Sequence, residues 1–343
     1  MFPKCLGFCG WKHTSSSQQQ HPTLIHELCQ QFSLTDLKKS TNNFHHTRLI
    51  GYSSFGKLYK GCLQHDDGSE YSVTIKPLYG EDNIEGNNQF NKEVELLCQL
   101  HHPNCVSLIG FCNHKKEKIL VYEYMSNGSL DQYIQGRFRE ALSWRKRIEI
   151  CIGVARGLHY LHAGAKRTIF HRDVCLSNIL LDDQMEPKLA GFGRSIQGAR
   201  FMSKPKTIPI DDDTWGSYGY HPMQHFRDTI VTDKCDVFTF GMLLLEIVWG
   251  RRYFAMKEID GFLEKPVEEN IDMDIKGKIA PECWKVFIDI IQRCVNSAAD
   301  ERPTMGEVEV QLEYALSLQE QADSTNIHGD YILLSKTIVN LKP

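Results

Sequence analysis

No stretch of the 343-residue sequence is apolar for long enough to cross a bilayer. The best candidate, residues 237–249, is too short and contains Glu246. The first ten residues also lack the long apolar segment of a secretory signal peptide. These absences predict a cytoplasmic protein without a transmembrane segment.

The charge balance and the cysteine spacing exclude two further classes. The chain has 39 Lys and Arg against 43 Asp and Glu, a net charge of −4, whereas nucleic-acid-binding proteins usually carry a basic excess. None of the 12 cysteines forms a CxxC pair, so the common zinc-binding spacing is absent. Cys98, Cys151 and Cys294 lie inside apolar patterns, which is typical of free thiols that pack as small hydrophobic side chains in a reducing compartment.

The first part of the chain is poor in apolar periodicity, and residues 14–20 contain only Thr, Ser and Gln. Cys5 and Cys9 lie there in a short basic and apolar context, so one interpretation is reversible S-acylation and peripheral contact with the inner face of the plasma membrane. The alternative is two thiols in an unstructured tail. Residue 2 is Phe, which excludes N-myristoylation.

Hydrophobic periodicity predicts a small β-rich part followed by a larger helical part. Asp67-Gly68 between two strand-like runs is typical of a hairpin. The predicted helices cover 32–44 with a Thr35 cap, 87–101, 143–162 with a Ser143 cap, and 238–249, the last apolar nearly all round and therefore buried. The predicted boundaries are 1–31 for a disordered tail, 32–44 for a helical lead-in, 45–122 for the small lobe, 123–320 for a connection and the large lobe, and 321–343 for a C-terminal tail.

Two glycines and a charged pair in the small lobe indicate phosphate chemistry. Gly51 and Gly56 enclose a turn where small residues let backbone N–H groups approach phosphate oxygens, although an ordinary hairpin turn is the alternative. Lys76 ends a strand-like run, and Glu93 lies on the apolar face of the following helix, so the pair can present a fixed cation to phosphates. Glu95 is the alternative partner, but it falls off that face.

The string from His171 to Leu181 is the most specific signal in the chain. It places the Asp173 carboxylate and the Asn178 amide five residues apart in a loop before an apolar strand. A base for a hydroxyl group and an oxygen ligand for a metal is the functional interpretation of this pair. Gly191-Phe192-Gly193 follows ten residues after the string.

With these motifs the chain resembles the protein kinase family, in particular the plant receptor-like kinases of the Pelle type. Within that group, its motifs most resemble those of the malectin-type receptor kinases. The resemblance runs from about Phe32 to Gln321 and implies an α+β fold with two lobes: a β-rich N-lobe with one helix and a larger helical C-lobe. The phrases that carry it are Phe32-Ser-Leu-Thr-Asp-Leu, Val106-Ser-Leu-Ile-Gly-Phe-Cys, Leu120-Val-Tyr-Glu-Tyr-Met, Asn127-Gly-Ser-Leu and Asp300-Glu-Arg-Pro-Thr-Met.

The resemblance implies a site for ATP and Mg²⁺ at matching positions of this sequence. Lys76 would contact the α- and β-phosphates and pair with Glu93, Asp173 would be the catalytic base, and Asn178 would be a metal ligand. Asp236 would anchor the catalytic loop. The other implied ATP contacts are the outer loop glycines Gly51 and Gly56 with the flanking Ile50 and Leu58, the gatekeeper Tyr122, the hinge from Glu123 to Met125, and Leu180 below adenine.

Three departures from the family pattern bear on phosphoryl transfer. Ser53 replaces the second loop glycine, and Cys175 replaces a lysine that supplies positive charge to the transferring group. Gly191 replaces the aspartate that binds Mg²⁺, so the main carboxylate for the metal is missing. We expect the change at Gly191 alone to slow the reaction by roughly 10²- to 10⁴-fold, because metal charge stabilisation supplies several kcal/mol of the barrier reduction.

A fourth departure affects stability. Gln224 stands where the family has a glutamate that forms a buried ion pair with the residue at Arg302, so the guanidinium is expected to lack its counter-ion. The acidic residues Asp211, Asp212 and Asp213 could offer a substitute carboxylate, but a solvated acidic loop is the favoured interpretation.

The sequence therefore favours a receptor-like, nucleotide-binding pseudokinase that signals through protein partners such as other receptor-like kinases, with Mg²⁺ binding weakened or absent. An active but slow ATP-dependent Ser/Thr kinase is the alternative, because Lys76, Glu93, Asp173 and Asn178 are retained. A third hypothesis is a scaffold with an empty cleft. Phosphate transfer by the purified protein, with a Gly191→Asp control, separates the first two hypotheses.

Overall fold

In a computed structural model, the chain is described over residues 29–53, 56–78, 84–114, 117–134, 140–200, 208–209, 230–250, 266–326 and 330–333. The predicted acylation sites Cys5 and Cys9, the acidic run 211–213 and Gln224 lie outside the described residues.

The first lobe is built on a six-stranded sheet with the order β1-β5-β6-β4-β3-β2. The five neighbouring strands from β5 to β2 are antiparallel, as the family resemblance implies, whereas β1 joins the edge parallel to β5. Strand β1 comes from residues that the sequence placed in the tail. Gly110 allows the pairing, because a Cβ there would lie 2.2 Å from the carbonyl oxygen of Gln30. The strands are β1 Gln30–Gln31, β2 Leu49–Ser53, β3 Gly56–Gln64, β4 Glu70–Pro77, β5 Leu108–His114 and β6 Glu117–Glu123.

The hairpin predicted at Asp67-Gly68 is confirmed, since it connects the antiparallel strands β3 and β4. Gly68 has a φ of +83°, a conformation that favours glycine, and Asp67 Oδ1 accepts a hydrogen bond from the Ser69 backbone N–H. Alternation along β4 then buries Val73 and Ile75 in the core.

Two helices accompany the sheet. Helix α1, Leu34–Ser40, begins at a Ser33 cap rather than at Thr35, because the Ser33 hydroxyl accepts the Asp36 N–H. Helix α2, Ile84–Leu97, ends four residues before the predicted end at residue 101. Its predicted apolar face is buried, with the Phe90 ring packed edge-on against Phe111 of β5.

The second lobe is mostly helical. Ser143 caps α4 as predicted, and α5 is buried along nearly its whole length, as its apolar composition predicts. The last helix begins with a capping box of Thr304 and Glu307. The helices are α3 Asp131–Ile134, α4 Trp144–His159, α5 Asp233–Trp249, α6 Pro281–Cys294 and α7 Met305–Thr325.

Short paired strands complete the second lobe. The pairs β8 with β9 and β7 with β10 lie around the loops that carry the predicted catalytic residues. The strands are β7 Arg167–Phe170, β8 Ile179–Leu181, β9 Pro187–Leu189, β10 Ile196–Arg200, β11 Ile208–Pro209 and β12 Ile230–Val231.

The predicted fold class is confirmed: a β-rich lobe with a packed helix is followed by a larger helical lobe. Cys98, Cys151 and Cys294 are free and buried, as their apolar contexts predict, and burial raises the pKa of the Cys294 thiol to about 12. Among the described helices, none has the length and apolar character needed to cross a membrane.

Candidate functional site

A buried ion pair joins the sheet to helix α2. Lys76 lies on β4, and its Nζ donates to Glu93 Oε1 at 2.9 Å. Both side chains are buried, whereas the alternative partner Glu95 is exposed on the other face of the helix. A buried ion is stable only when it is paired and hydrogen-bonded, so this contact fixes the position of α2 against the sheet.

Two further donors converge on Glu93. The Tyr122 hydroxyl on β6 donates to Glu93 Oε2, and the Gln89 amide, one turn earlier on α2, donates to Glu93 Oε1 at 2.7 Å. Burial, with the charge of Glu93 added to it, raises the pKa of the Tyr122 hydroxyl well above its ordinary value. The carboxylate therefore ties two strands and the helix together, and Tyr122 remains a donor at physiological pH.

The loop that carries Asp173 is fixed to helix α5 through Asp236. The Asp236 carboxylate accepts the backbone N–H groups of His171 and Arg172 at 2.8 Å each, as the resemblance implies for this residue. His162 Nε2 lies 2.9 Å from the same carboxylate. Burial alone would raise the pKa of Asp236, but the hydrogen bonds and the neighbouring histidines outweigh it, and the net shift is downward.

His171 is held in one neutral form beside that anchor. Its Nδ1 accepts the Asp173 backbone N–H at 3.2 Å, and its Nε2 lies 3.0 Å from the Ala190 carbonyl oxygen, which can only accept a hydrogen bond. The proton is therefore on Nε2. Burial lowers the pKa of His171. A proton on Nδ1 would also face the Asp173 backbone N–H, so that two donors would point at each other.

Asp173 reaches the cleft from this loop and meets a basic side chain. Arg194 Nη1 donates to Asp173 Oδ2 at 2.9 Å. Behind it, Asn178 Nδ2 donates to the Asp173 backbone carbonyl oxygen at 2.7 Å. This hydrogen bond links the two ends of the loop between Asp173 and Asn178. The predicted base and the predicted metal ligand are thus close together, but the amide nitrogen of Asn178 is engaged with backbone.

Gly191 lies directly against Asn178. Its φ is +85°, in the left-handed region, and a Cβ added to it would lie 2.5 Å from Asn178 Cγ. The Asn178 side chain therefore occupies space that any side chain at position 191 would need. The absence of a carboxylate at position 191 and the position of the Asn178 amide are therefore linked, because the amide lies where a side chain at position 191 would be.

The cleft between the lobes collects most of the predicted residues. Leu58, Lys76, Glu93, Tyr122, Glu123, Asp173, Asn178, Leu180 and Gly191 line it, whereas Ile50, Gly51, Gly56 and Met125 are not among its lining residues. Ile50 points outward with 43 % of its surface exposed, and Met125, within the connection between the lobes, is buried.

The hinge residue Glu123 has a partner in the second lobe. Lys188 Nζ on β9 lies 2.7 Å from Glu123 Oε2, and the Ser107 backbone N–H donates to Glu123 Oε1 at 2.7 Å. The side chain thus bridges the two lobes, a role that the resemblance alone does not assign.

Sequence reasoning missed several lining residues, namely Tyr52, Thr74, Gln89, Val106, Ser177, Ala190 and Arg194. Two had a usable signal. Thr74 alternates with Lys76 on β4 and so faces the same side. Gln89 lies one helical turn before Glu93, which would have placed it on the same face of α2.

The cleft offers a divalent metal one carboxylate fewer than the family pattern does. Mg²⁺ prefers oxygen ligands in octahedral geometry, usually with carboxylates. Gly191 supplies no oxygen from its side chain, and the Asp173 carboxylate is paired with Arg194. Within the described ranges, no group of three or more His, Cys, Asp or Glu side chains could hold a metal ion.

Arg302 is buried in the second lobe, and its predicted counter-ion position, Gln224, lies outside the described residues. Its guanidinium donates to the backbone carbonyl oxygens of Asn296 at 2.7 Å and Lys234 at 3.0 Å, and it lies over the Phe238 ring. Burial lowers the pKa of Arg302. Backbone carbonyls and an aromatic face thus solvate this cation among the described residues.

Known protein kinases match this chain over most of its length. The family model for protein tyrosine and serine/threonine kinases matches residues 44–312. The chain is 40 % identical over 309 residues to the receptor-like protein kinase ANXUR2 of Arabidopsis thaliana, covering 87 % of this chain and 35 % of that protein. It is 38 % identical over 344 residues to the receptor-like protein kinase FERONIA of the same plant, covering 93 % and 36 %. The chain thus spans about a third of the length of these curated relatives.

Proposed function

The chain belongs to the protein tyrosine and serine/threonine kinase family, and we propose that within this family it is a receptor-like, nucleotide-binding signalling protein whose phosphoryl transfer is impaired. The observation that carries the proposal is the arrangement at Gly191, where the metal-binding carboxylate is absent and Asn178 fills the adjacent space.

Nucleotide binding is supported by the cleft residues that match the family pattern. Lys76 presents a buried cation that is oriented by Glu93, and Glu93 is itself held by Tyr122 and Gln89. A phosphate chain entering the cleft would meet this fixed charge without a rearrangement of α2. Leu58, Val106 and Leu180 supply apolar surface to the same cleft, as a purine base requires.

Impaired transfer is supported by the residues around the position of the terminal phosphate. Bound Mg²⁺ would neutralise charge that develops on the phosphates, and this chain offers it one carboxylate fewer than the family pattern. Cys175, in place of the lysine, is buried, and its Sγ lies 3.2 Å from Ser177 Oγ. The chain therefore lacks charge at two of the points where phosphoryl transfer is usually stabilised.

A slow Ser/Thr kinase is the second candidate function, and one observation favours it. Asp173 remains at the cleft, and its loop is anchored by the hydrogen bonds of Asp236 to two backbone N–H groups. A base that is already positioned could orient a hydroxyl group even with weak metal binding.

Phosphate transfer from labelled ATP by the purified chain tests the proposal. We expect transfer to be absent or very weak, and Gly191→Asp is the matched gain-of-function control. Robust autophosphorylation by the unmodified chain that Asp173→Asn abolishes would overturn the pseudokinase proposal and support the slow kinase.

Calorimetry with ATP separates a nucleotide-binding protein from an empty scaffold. We expect ATP to bind with an affinity that Mg²⁺ changes little, since Lys76 and the hinge do not depend on the metal. Binding that appears only when Mg²⁺ is present would contradict the proposed loss of metal affinity, and the absence of any binding would support a scaffold.

Two further proposals concern location and partners. We propose a cytoplasmic protein that meets other receptor-like kinases, with Cys5 and Cys9 as acylation sites that bring it to the inner face of the plasma membrane. Acyl-resin capture of the full chain, with Cys5→Ser and Cys9→Ser as controls, tests the membrane part. Capture that persists in the double variant would exclude these two sites.

A further inference from the structure

Arg194 brings a second cation to the cleft, in addition to Lys76. It closes the short helical turn from Phe192 to Arg194, directly after Gly191. Its guanidinium lines the same cleft as Lys76, Asn178 and Gly191, and its Nη1 lies 2.9 Å from Asp173 Oδ2.

The backbone of Arg194 is fixed, while its side chain still reaches the cleft. Arg172 Nη1 donates to the Arg194 carbonyl oxygen at 3.2 Å, which ties the turn to the loop of Asp173. The preceding residue, Gly193, lies so close to α2 that a Cβ there would be 2.3 Å from Gln89 Nε2. The turn is therefore wedged between α2 and the catalytic loop, and the direction of the Arg194 side chain is constrained.

The guanidinium keeps donor capacity beyond its pair with Asp173. Arginine has five N–H donors, and within the described part of the chain the Asp173 carboxylate is bonded to a single one of its nitrogens. The Arg194 side chain is 23 % exposed, so part of it faces the open cleft. Guanidinium groups bind phosphate through two parallel N–H bonds, and they do so without a metal.

The charges of the cleft can be compared with the family pattern. That pattern has two cations, at positions 76 and 175, and three carboxylates, at positions 93, 173 and 191. At these positions and at position 194, this chain has two cations, Lys76 and Arg194, and two carboxylates, Glu93 and Asp173; the hinge carboxylate Glu123 also lines the cleft, where it pairs with Lys188. The positive charge lost at Cys175 is thus present again from another element, and one negative charge is gone.

We propose that Arg194 replaces the lysine that is absent at position 175, and that it binds the terminal phosphate of a nucleoside triphosphate when no divalent metal is present. The proposal rests on the nucleotide binding proposed above and adds the source of its independence from Mg²⁺. Compared with the family pattern, this cleft has one carboxylate fewer to repel a triphosphate. The Arg194 guanidinium, next to Asp173, lies on the side of the cleft that the terminal phosphate of the nucleotide would reach.

Titration calorimetry on the full chain in EDTA tests this assignment, with ATP and ADP as the probes. We expect wild type to bind ATP more tightly than ADP. Arg194→Gln should weaken ATP binding by about 10- to 100-fold, the range for a charged hydrogen bond, and should change ADP binding by less than about threefold. Arg194→Lys, which keeps the charge, should retain much of the preference for ATP.

Two controls keep the result interpretable. Arg145→Gln removes an exposed arginine that pairs with Glu149 and Glu320 on the surface of the second lobe, and it should leave both affinities unchanged. ADP binding reports that each Arg194 variant is folded, and Arg194→Met supplies the neutral side chain if the glutamine variant does not fold.

The outcomes separate the two proposals. ATP and ADP affinities that fall together in Arg194→Gln, or that both stay unchanged, would overturn the role of Arg194 while nucleotide binding stands. A wild-type chain that binds neither nucleotide would overturn nucleotide binding and the role of Arg194 with it.

Discussion

A side chain at position 191 should destabilise the protein in a way that can be divided into two parts. Gly191 has a φ of +85° and a Cβ there would lie 2.5 Å from Asn178 Cγ. Gly68 has nearly the same backbone, with a φ of +83°, but no atom lies within 4 Å of the position of its added Cβ. Alanine at Gly68 therefore measures the backbone effect alone, and alanine at Gly191 measures backbone and crowding together.

The expected magnitudes follow from these contacts. Gly68→Ala should lower the free energy of unfolding by about 1–2 kcal/mol, the penalty for an L-residue in the left-handed region. Gly191→Ala must also displace the Asn178 side chain, whose amide bonds the Asp173 carbonyl oxygen at 2.7 Å. Losing that hydrogen bond adds about 0.5–1.5 kcal/mol, so the total is about 1.5–3.5 kcal/mol.

Urea unfolding of the full chain measures both variants, and a double-mutant cycle with Asn178→Ala isolates the crowding. In the Asn178→Ala background, Gly191→Ala should lose no more stability than Gly68→Ala does in wild type, a coupling of about 1 kcal/mol. Equal losses for Gly191→Ala in the two backgrounds would refute the inference that Asn178 fills the space at position 191.

Three further predictions concern catalysis, pH and the buried cluster. Gly191→Asp with Cys175→Lys should raise phosphate transfer by more than the two single variants combined, measured with labelled ATP; a double variant no faster than wild type would contradict the assignment. The pKa of His171 is lowered by burial, so the stability it contributes is full above its unfolded value of about 6.5 and is lost as pH falls toward the folded pKa; urea titrations at pH 7.5 and 5.5 should show a smaller loss in His171→Gln than in wild type, and equal losses would contradict it. Tyr122→Phe removes one donor from Glu93 and should lower the free energy of unfolding by about 1.5–3 kcal/mol, whereas an unchanged urea midpoint would exclude a net contribution from that bond.

The parts of the fold that the sequence predicted are those with strong local signals. The hairpin at Gly68, the Ser143 cap and the buried helix α5 each have a physical cause within a few residues of chain. The end of α2 and the cap of α1 were wrong by two to four positions, because several residues near each end could cap or extend the helix. Strand β1 was missed, since a two-residue strand gains its stability from pairing with β5 and has no periodicity of its own.

The residues of the candidate site also fall into two groups, those that motifs predicted and those that only the folded chain shows. The family resemblance placed Lys76, Glu93 and Asp173 at one cleft, because each lies in a distinctive motif even though Asp173 is far from the other two in the sequence. The position of Arg194 could not be predicted from its motif, since its contact with Asp173 depends on a turn wedged between α2 and the catalytic loop. Likewise, Glu123 reaches Lys188 only because the hinge and β9 meet in the folded chain.

The residues that remain from the kinase pattern are also the residues that the fold requires, and this limits what their presence says about catalysis. Removing either Lys76 or Glu93 would leave a buried charge without its partner, a change that typically costs about 3–5 kcal/mol. Asp236 holds two backbone N–H groups of a buried loop. The fold alone therefore gives a reason to keep each of these three residues once its partners are present.

Two of the departures, Gly191 and Cys175, lie where the fold makes no such demand. Gly191 relieves backbone strain at a φ of +85°, and Cys175 is an apolar core contact where a lysine would need to reach out of the core toward the cleft. Neither change removes the partner of a buried charge among the described residues, so both are compatible with the fold, whereas each removes a charged group that the family pattern uses in phosphoryl transfer. A chain under selection to transfer phosphate would be expected to show the reverse pattern, with its metal ligand kept and losses confined to structural contacts. The changes at Gly191 and Cys175 therefore support the proposed nucleotide-binding module over the slow kinase, and the phosphate-transfer assay decides between them.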